Sequence, residues 1–182
     1  QEYTEDVHAS ACHLLEIINE VLDMSKIEAG RVELDESDVD VEEVIDSVVR
    51  MMASRAFSNN VAIKTKIENN IPRLMADHRL IRQVLINLVS NSVKFCKSGG
   101  EIIIEAGLMT DGEMEMVVRD TGIGIPRNKI AQALEPFGQI HETAHAAKEV
   151  AGTGLGLPLA KAMVEMHGGR LTLDSDLGAG TN

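Results

Sequence analysis

The stretch Asp120-Thr121-Gly122-Ile123-Gly124-Ile125 follows directly on a run of strand-like residues, Met114 to Arg119. Two glycines one residue apart behind a strand let the backbone turn sharply and let another group come close. The aspartate beside them is a fixed acceptor. A second cluster, Gly152-Thr153-Gly154-Leu155-Gly156-Leu157, opens a helical pattern about thirty residues later. Glycines at a helix start favour phosphate, because free N–H groups and the helix dipole both attract anions. Neither cluster fits a common phosphate motif. The spacing at Asp120 is not Gly-x-Gly-x-x-Gly and no βαβ unit surrounds it, and the second cluster lacks the Gly-Lys-Ser/Thr ending of a P-loop. Along the chain, strands and helices are mixed without a βαβαβ rhythm. The fold implied is a mixed sheet with helices on one face, an α/β sandwich of the α+β class. The two clusters, with a helix upstream, read as one nucleotide pocket.

Upstream of Asp120, Glu101 to Leu108 and Glu113 to Arg119 read as antiparallel strands joined by the Thr110-Asp111-Gly112 turn. Before them, Leu80, Ile81, Val84, Leu85, Leu88 and Val89 give helical periodicity to about Cys96, with Asp77 as N-cap. Leu74 to Ala76 is a short strand and Val61 to Ile67 a longer one. Val41 to about Phe57 reads as a helix, entered through a turn at Asp38 to Asp40. Arg31 to Leu34 alternates as a short strand.

The chain opens with a long helix to about residue 28. Val7, Ala11, Leu14, Ile18, Val21 and Ser25 form a heptad seam, flanked by His8, Leu15 and Leu22. Such a face needs a partner helix, either elsewhere in a longer chain or in a second copy. Gly30 is its stop, and the join from Gly30 to Asp38 is the expected domain boundary. Downstream of Asp120, Pro126 starts a short helix and Pro136 to Ala151 reads as a mobile loop. Gly154 to His167 is the last full helix, Arg170 to Asp174 a strand, and Gly178 to Thr181 a turn. Both ends read as cut, so the chain is expected to be a fragment.

Composition narrows the function classes. Among 182 residues, 29 are acidic and 17 basic, a net charge of −12. A nucleic-acid binder needs a basic face, and attachment to an anionic membrane needs the same. No apolar run approaches a bilayer span. Cys12 and Cys96 lie far apart in helical patterns, which suits a reduced, cytoplasmic chain. Aromatics are 2%, so the core is aliphatic.

On the helix behind Asp77, Asn87 and Asn91 lie four apart and Lys94 three further on, all on one face. An amide oxygen can ligate Mg²⁺ and an ammonium can balance phosphate. A solvated polar face would look the same on this helix alone.

The ordered set decides between them. Asn87-Leu-Val-Ser-Asn91-Ser-Val-Lys94-Phe95, Asp120-Thr-Gly-Ile-Gly, Glu135-Pro-Phe137-Gly, Gly152-Thr-Gly-Leu-Gly-Leu157 and Gly178-Ala-Gly-Thr181 follow one another in the chain. Together they resemble the N box, first glycine box, F box, and second and third glycine boxes of sensor histidine kinases. The resemblance is to the catalytic ATP-binding domain of the Bergerat-fold superfamily. His8 to Gly30 resembles the second helix of the family's dimerisation and phosphotransfer hairpin. The Gly-Leu-Pro-Leu-Ala-Lys run at 156–161 resembles alphaproteobacterial members.

The resemblance implies a hairpin remnant over 1–30, a catalytic domain over 31–182, and Mg²⁺ and ATP as cofactors. It implies that Asn91 ligates the metal, with Asn87 holding metal or phosphates. Lys94 contacts phosphate and Phe95 lines the pocket. Asp120 accepts from the adenine amino group, with Gly122, Gly124 and Ile125 beside the base. Phe137 anchors the ATP lid. Gly152, Thr153, Gly154, Leu155 and Gly156 close over the phosphates, and Thr181 sits near adenine through water. It also implies a response-regulator receiver domain as partner, a homodimer in the full-length protein, and no direct membrane contact by this piece, although the parent can be membrane-anchored.

Asn87 stands where superfamily ATPases carry a glutamate general base. Asparagine cannot take a proton, so transfer to a protein nucleophile fits better than hydrolysis. Ser92 replaces the usual alanine, and the lid offers His141, His145 and Lys148. No histidine carries the family's acceptor motif. His8 and His13 fall on the second hairpin helix, and His78 and His167 flank helix ends, so the acceptor is expected before Gln1 and no catalytic residue is assigned within the chain. The rival readings are a nucleotide-binding or docking pseudokinase and a Bergerat-type ATPase.

Overall fold

The computed structural model describes residues 2–139 and 153–182. The loop expected over Pro136 to Ala151 therefore falls mostly outside the described residues, as do Gly152, His141, His145 and Lys148.

Strand alternation and helical stripes give the expected elements. Helix α1 runs Glu2–Glu28, strand β1 Glu36–Val39 and helix α2 Val41–Ser58. Strands β2 (Ala62–Ile67) and β3 (Leu74–Asp77) lead to helix α3, His78–Phe95. Strands β4 (Glu101–Leu108) and β5 (Met114–Asp120) form the hairpin that ends at the opening aspartate. A 3-10 turn over Arg127–Lys129 leads into the short helix α4, Ile130–Ala133. Helix α5 covers Gly156–Met166, and the short strands β6 (Ser175–Asp176) and β7 (Gly180–Thr181) close the chain.

The main sheet has the order β2-β4-β5-β7-β6. It is mixed: β2 runs parallel to β4, whereas the β4–β5, β5–β7 and β6–β7 pairs are antiparallel. One face of β4 presents Ile102, Ile104 and Ala106 to the core. The other carries charge: Glu101 pairs with Lys64, and Glu105 with Lys66 and Arg119. That alternation leaves only one face for helices, and α2 and α3 cover it.

Helix α3 is packed on two sides. Ile81, Leu85, Val89 and Val93 join Val44, Ile45 and Val48 of α2 over the sheet. Val84 joins Leu155, Leu159, Ala160 and Met163 of the α5 region in a second core, against which Met24 and Ile27 of α1 also pack. On the side of α3 toward α5 lies the Asn87, Asn91, Lys94 stripe, and Asn87 meets Gly156 at the start of α5.

Three expectations need correction. Arg31 to Leu34 pairs with no strand; β1 forms instead over Glu36–Val39, in a separate two-stranded sheet with β3. Its residues have poor strand propensity, and pairing with β3 and the Asp35 N–H bond to Asp77 Oδ2 override that. Arg170 to Asp174 is not a strand as a whole; only Asp174 exchanges backbone hydrogen bonds with Asn182, ahead of β6. Gly178 to Thr181 is a turn whose last two residues form β7 beside Asp120.

The heptad seam of α1 faces solvent: Val7, Leu14, Leu15, Ile18, Val21 and Leu22 are all exposed. A different row, with Met24 and Ile27, meets the second core. Among the described residues no helix is long and apolar enough to cross a membrane.

Candidate functional site

Asp120 ends β5 with its side chain 8% exposed. Its Oδ1 accepts from Gly122 N at 2.8 Å and Thr181 N at 3.3 Å. Its Oδ2 accepts from Ser92 Oγ at 3.1 Å. Burial pushes the Asp120 carboxyl above the usual carboxylate range, and those three hydrogen bonds pull against it. Oδ1 has both lone pairs engaged, so Oδ2 keeps the capacity to accept one more donor.

The glycines are there because nothing larger fits. A Cβ on Gly122 would lie 2.7 Å from both Asp120 Oδ1 and the Phe95 carbonyl oxygen. Gly124 has φ +68° and its Cβ would overlap the Asp176 carbonyl oxygen. Ser175, 4% exposed, ties the loop down: its Oγ accepts from Ile125 N at 2.8 Å and donates to the Gly180 carbonyl at 2.7 Å. It also lies 3.1 Å from Thr181 Oγ1. Arg127 adds a bidentate pair to Asp176 at 2.5 and 2.6 Å. The first and third glycine clusters are thus one rigid unit around Asp120.

The α3 stripe meets the start of α5. Asn87 is 8% exposed; its Oδ1 accepts from Gln83 Nε2 at 3.2 Å and its Nδ2 donates to the Gly156 carbonyl at 3.2 Å. Asn91 Nδ2 lies 3.5 Å from where a Gly156 Cβ would stand, so that glycine is not sterically demanded. Lys94 Nζ sits 5.3 Å from the Phe95 ring centroid. Burial pulls the Lys94 ammonium below its ordinary value, attraction from Glu20 opposes that, and repulsion from Arg55 adds to it.

Phe137 is reached by backbone. Its N–H donates to the Gly154 carbonyl at 3.1 Å while its ring is 63% exposed. Gly154, at φ +73°, passes so close to Phe137 that a Cβ would lie 2.9 Å from its carbonyl carbon. The Leu155 side chain is fully buried in the second core, so only its backbone can face a ligand. Thr153 Oγ1 accepts from Leu155 N at 3.1 Å and donates to Glu20 Oε2 at 2.5 Å. Gly152 lies outside the described residues.

Sequence reasoning missed Ser175 and Glu20, and read Ser92 only as a small replacement. The signal for Ser92 was its place between Asn91 and Lys94 on a helix facing the Asp120 strand. Ser175 and Glu20 had no local signal. His167, at the end of α5, bridges secondary structure: its Nε2 accepts from Asp77 N at 3.0 Å and its Nδ1 lies 2.7 Å from the Met163 carbonyl.

A buried carboxylate braced by two glycine loops, opposite an amide and ammonium stripe, coincides with a family match over residues 76–182. The family is described as histidine kinase-, DNA gyrase B-, and HSP90-like ATPases. The chain belongs to this family. Over 187 residues it is 39% identical to the cell-division control histidine kinase PdhS of Brucella abortus (strain S19), covering all of this chain and 18% of that protein. It therefore spans about a fifth of the length of the curated relatives it matches. Among solved structures it is similar to full-length ShkA in complex with AMPPNP, with TM-score 0.86, 29% identity, and coverage of 99% of this chain and 36% of ShkA. It shares its fold with the histidine kinase ThkA, solved in complex with the response regulator protein TrrA, at TM-score 0.74 and 22% identity over the whole chain and 48% of that one. The expected helix-covered mixed sheet of the Bergerat type is the fold observed.

Proposed function

We propose that this chain binds Mg·ATP and is the catalytic part of a sensor histidine kinase, directing the γ-phosphoryl group to a histidine outside it. From there the phosphate passes to an aspartate of a response regulator. The observation that carries the reading is Asp120: a buried carboxylate, donors fixed on Oδ1, with Oδ2 left to accept from an exocyclic amino group. Its setting in the matched family region and the likeness to ShkA, which was solved holding AMPPNP, support it.

In this reading Asp120 recognises adenine, while Gly122, Gly124 and Ile125 bring the backbone to the base and Thr181 stands beside it. Phe95 lines the pocket and Lys94 meets phosphate. Thr153, Gly154 and Gly156 supply the phosphate-facing turn at the start of α5, and Phe137 anchors the lid through its backbone. Asn91 holds Mg²⁺ and Asn87 is a second donor. The donor chemistry fits: Mg²⁺ takes hard oxygen ligands and usually keeps phosphate oxygens and water in its shell. Bound Mg²⁺ neutralises phosphate charge; this chain's residues position and shield. Asn87 cannot accept a proton, and its amide is already engaged by Gln83 and Gly156. Water activation has no base there, so transfer to a protein nucleophile is the better match than hydrolysis.

The reading divides the chain near Gly30 to Asp38, with residues 1–30 as a hairpin helix and 31–182 as the ATP-binding domain. The exposed apolar seam of α1 supports a homodimer in the longer protein, and the kinase reading itself brings a receiver domain as partner and a cytoplasmic setting. Incubation with γ-labelled ATP tests it: this chain alone stays unlabelled, and a longer chain carrying the preceding helix becomes labelled on histidine. Label on this chain, or none on the longer one, contradicts the assignment.

A further inference from the structure

Among the described residues, the α1 side chain hydrogen-bonded to the phosphate end of the site is Glu20. The Glu20 carboxylate accepts the Thr153 hydroxyl proton at 2.5 Å, and the same hydroxyl accepts from Leu155 N. Thr153 Oγ1 has a single proton, so it can donate to one oxygen at a time. Glu20 also attracts Lys94 electrostatically, in a setting where burial and Arg55 disfavour the ammonium. The hydroxyl and the ammonium are two of the groups assigned above to phosphate. A carboxylate and a phosphate are both oxyanions, and both answer to the same donors.

We infer that Glu20 is a latch on the phosphate end of the site: the α1 carboxylate holds the Thr153 hydroxyl in place of phosphate, so nucleotide and α1 compete for that donor. The inference rests on the nucleotide reading above and goes beyond it by linking nucleotide loading to the position of the helix. Coupling of this kind is reciprocal. Phosphate binding weakens the hold on α1, and a signal that draws α1 away makes the site easier to load. Met24 and Ile27, one and two turns further along α1, keep their contacts with the second core, so the helix can loosen at Glu20 without leaving the domain.

The test compares Mg·ADP and adenosine binding by calorimetry in the wild-type chain, Glu20→Gln and Glu20→Ala, with thermal unfolding to verify the fold. Removing the competing charge should tighten Mg·ADP about fivefold, at the low end of ordinary site-to-site coupling. Adenosine, which has no phosphate, should bind all three alike. A residue with a merely structural role does not tighten binding when lost. Unchanged Mg·ADP affinity overturns the latch, as does equal tightening of adenosine. Weaker Mg·ADP binding also overturns it and assigns Glu20 to the metal instead. If the wild type binds neither compound, the nucleotide reading fails and the latch falls with it.

Discussion

Replacing Asp120 with asparagine isolates base recognition from folding. The side chain keeps its shape and one oxygen. That oxygen stays where Gly122 N, at 2.8 Å, and Thr181 N, at 3.3 Å, demand an acceptor. The new amide then takes the Oδ2 position, 3.1 Å from Ser92 Oγ, which can rotate to accept from it. An adenine amino group arriving there meets a donor instead of a carboxylate oxygen. A hydrogen bond to a charged group contributes about 1.5–3 kcal/mol. Its loss corresponds to roughly tenfold to hundredfold weaker Mg·ADP binding. Folding should change little. A raised native carboxyl value means that the stabilising contribution is present below 3.8 and lost as pH rises through the native value. At neutral pH the buried charge therefore works against the fold, and the amide relieves it. Thermal unfolding should place the variant at or slightly above the wild type while titration shows the affinity loss. Wild-type affinity in a folded Asp120→Asn protein would refute base recognition at this residue.

Four further outcomes follow from the same geometry. Nucleotide affinity should fall with acidification at pH values above 3.8, because Asp120 protonates early and loses its acceptor, and Asp120→Asn should lack that step. Burial raises the Asp77 carboxyl, but hydrogen bonds from the Arg79 side chain, Asp35 N, Arg79 N and Leu80 N outweigh it and hold the carboxyl at about 2. Its contribution to stability is present above 3.8 and lost as pH falls toward about 2, so acid unfolding should show a step that Asp77→Asn removes. Asp77→Ala should cost about 1–2 kcal/mol as a lost N-cap, read by denaturant unfolding at neutral pH. Gly124→Ala should destabilise by at least about 1–2 kcal/mol from the left-handed backbone alone, and displace the β6–β7 hairpin enough to weaken Mg·ADP; unchanged unfolding and affinity would rule out the steric account.

The parts of the fold legible in the sequence are those set by local pattern. Asp77 reads as a cap because its carboxylate takes Arg79 N and Leu80 N, two and three residues on. The β4–β5 hairpin reads from two β-branched-rich runs joined by the Thr110-Asp111-Gly112 turn. The site stripe reads because Asn87, Asn91 and Lys94 share a helix face. What stayed hidden depends on partners distant in the chain. Strand β1 is Glu-Ser-Asp-Val, and only β3 makes it a strand. Strands β6 and β7 are too short to show a period and exist because Ser175 and Asp120 hold them. On α1 the apolar seam was legible and the domain-facing row was not. Met24 and Ile27 carry that row with Glu20, and the acid's partner lies 133 residues away.

The most direct measurement is a calorimetric titration of this chain with Mg·ADP, beside Mg·GDP. A carboxylate acceptor at Asp120 suits the amino group of adenine and opposes the carbonyl that guanine presents in its place. The predicted result is saturable one-to-one binding of Mg·ADP with Mg·GDP at least tenfold weaker, the scale of one mismatched hydrogen bond at a buried charge. No heat with either nucleotide, or equal affinity for both, contradicts the account.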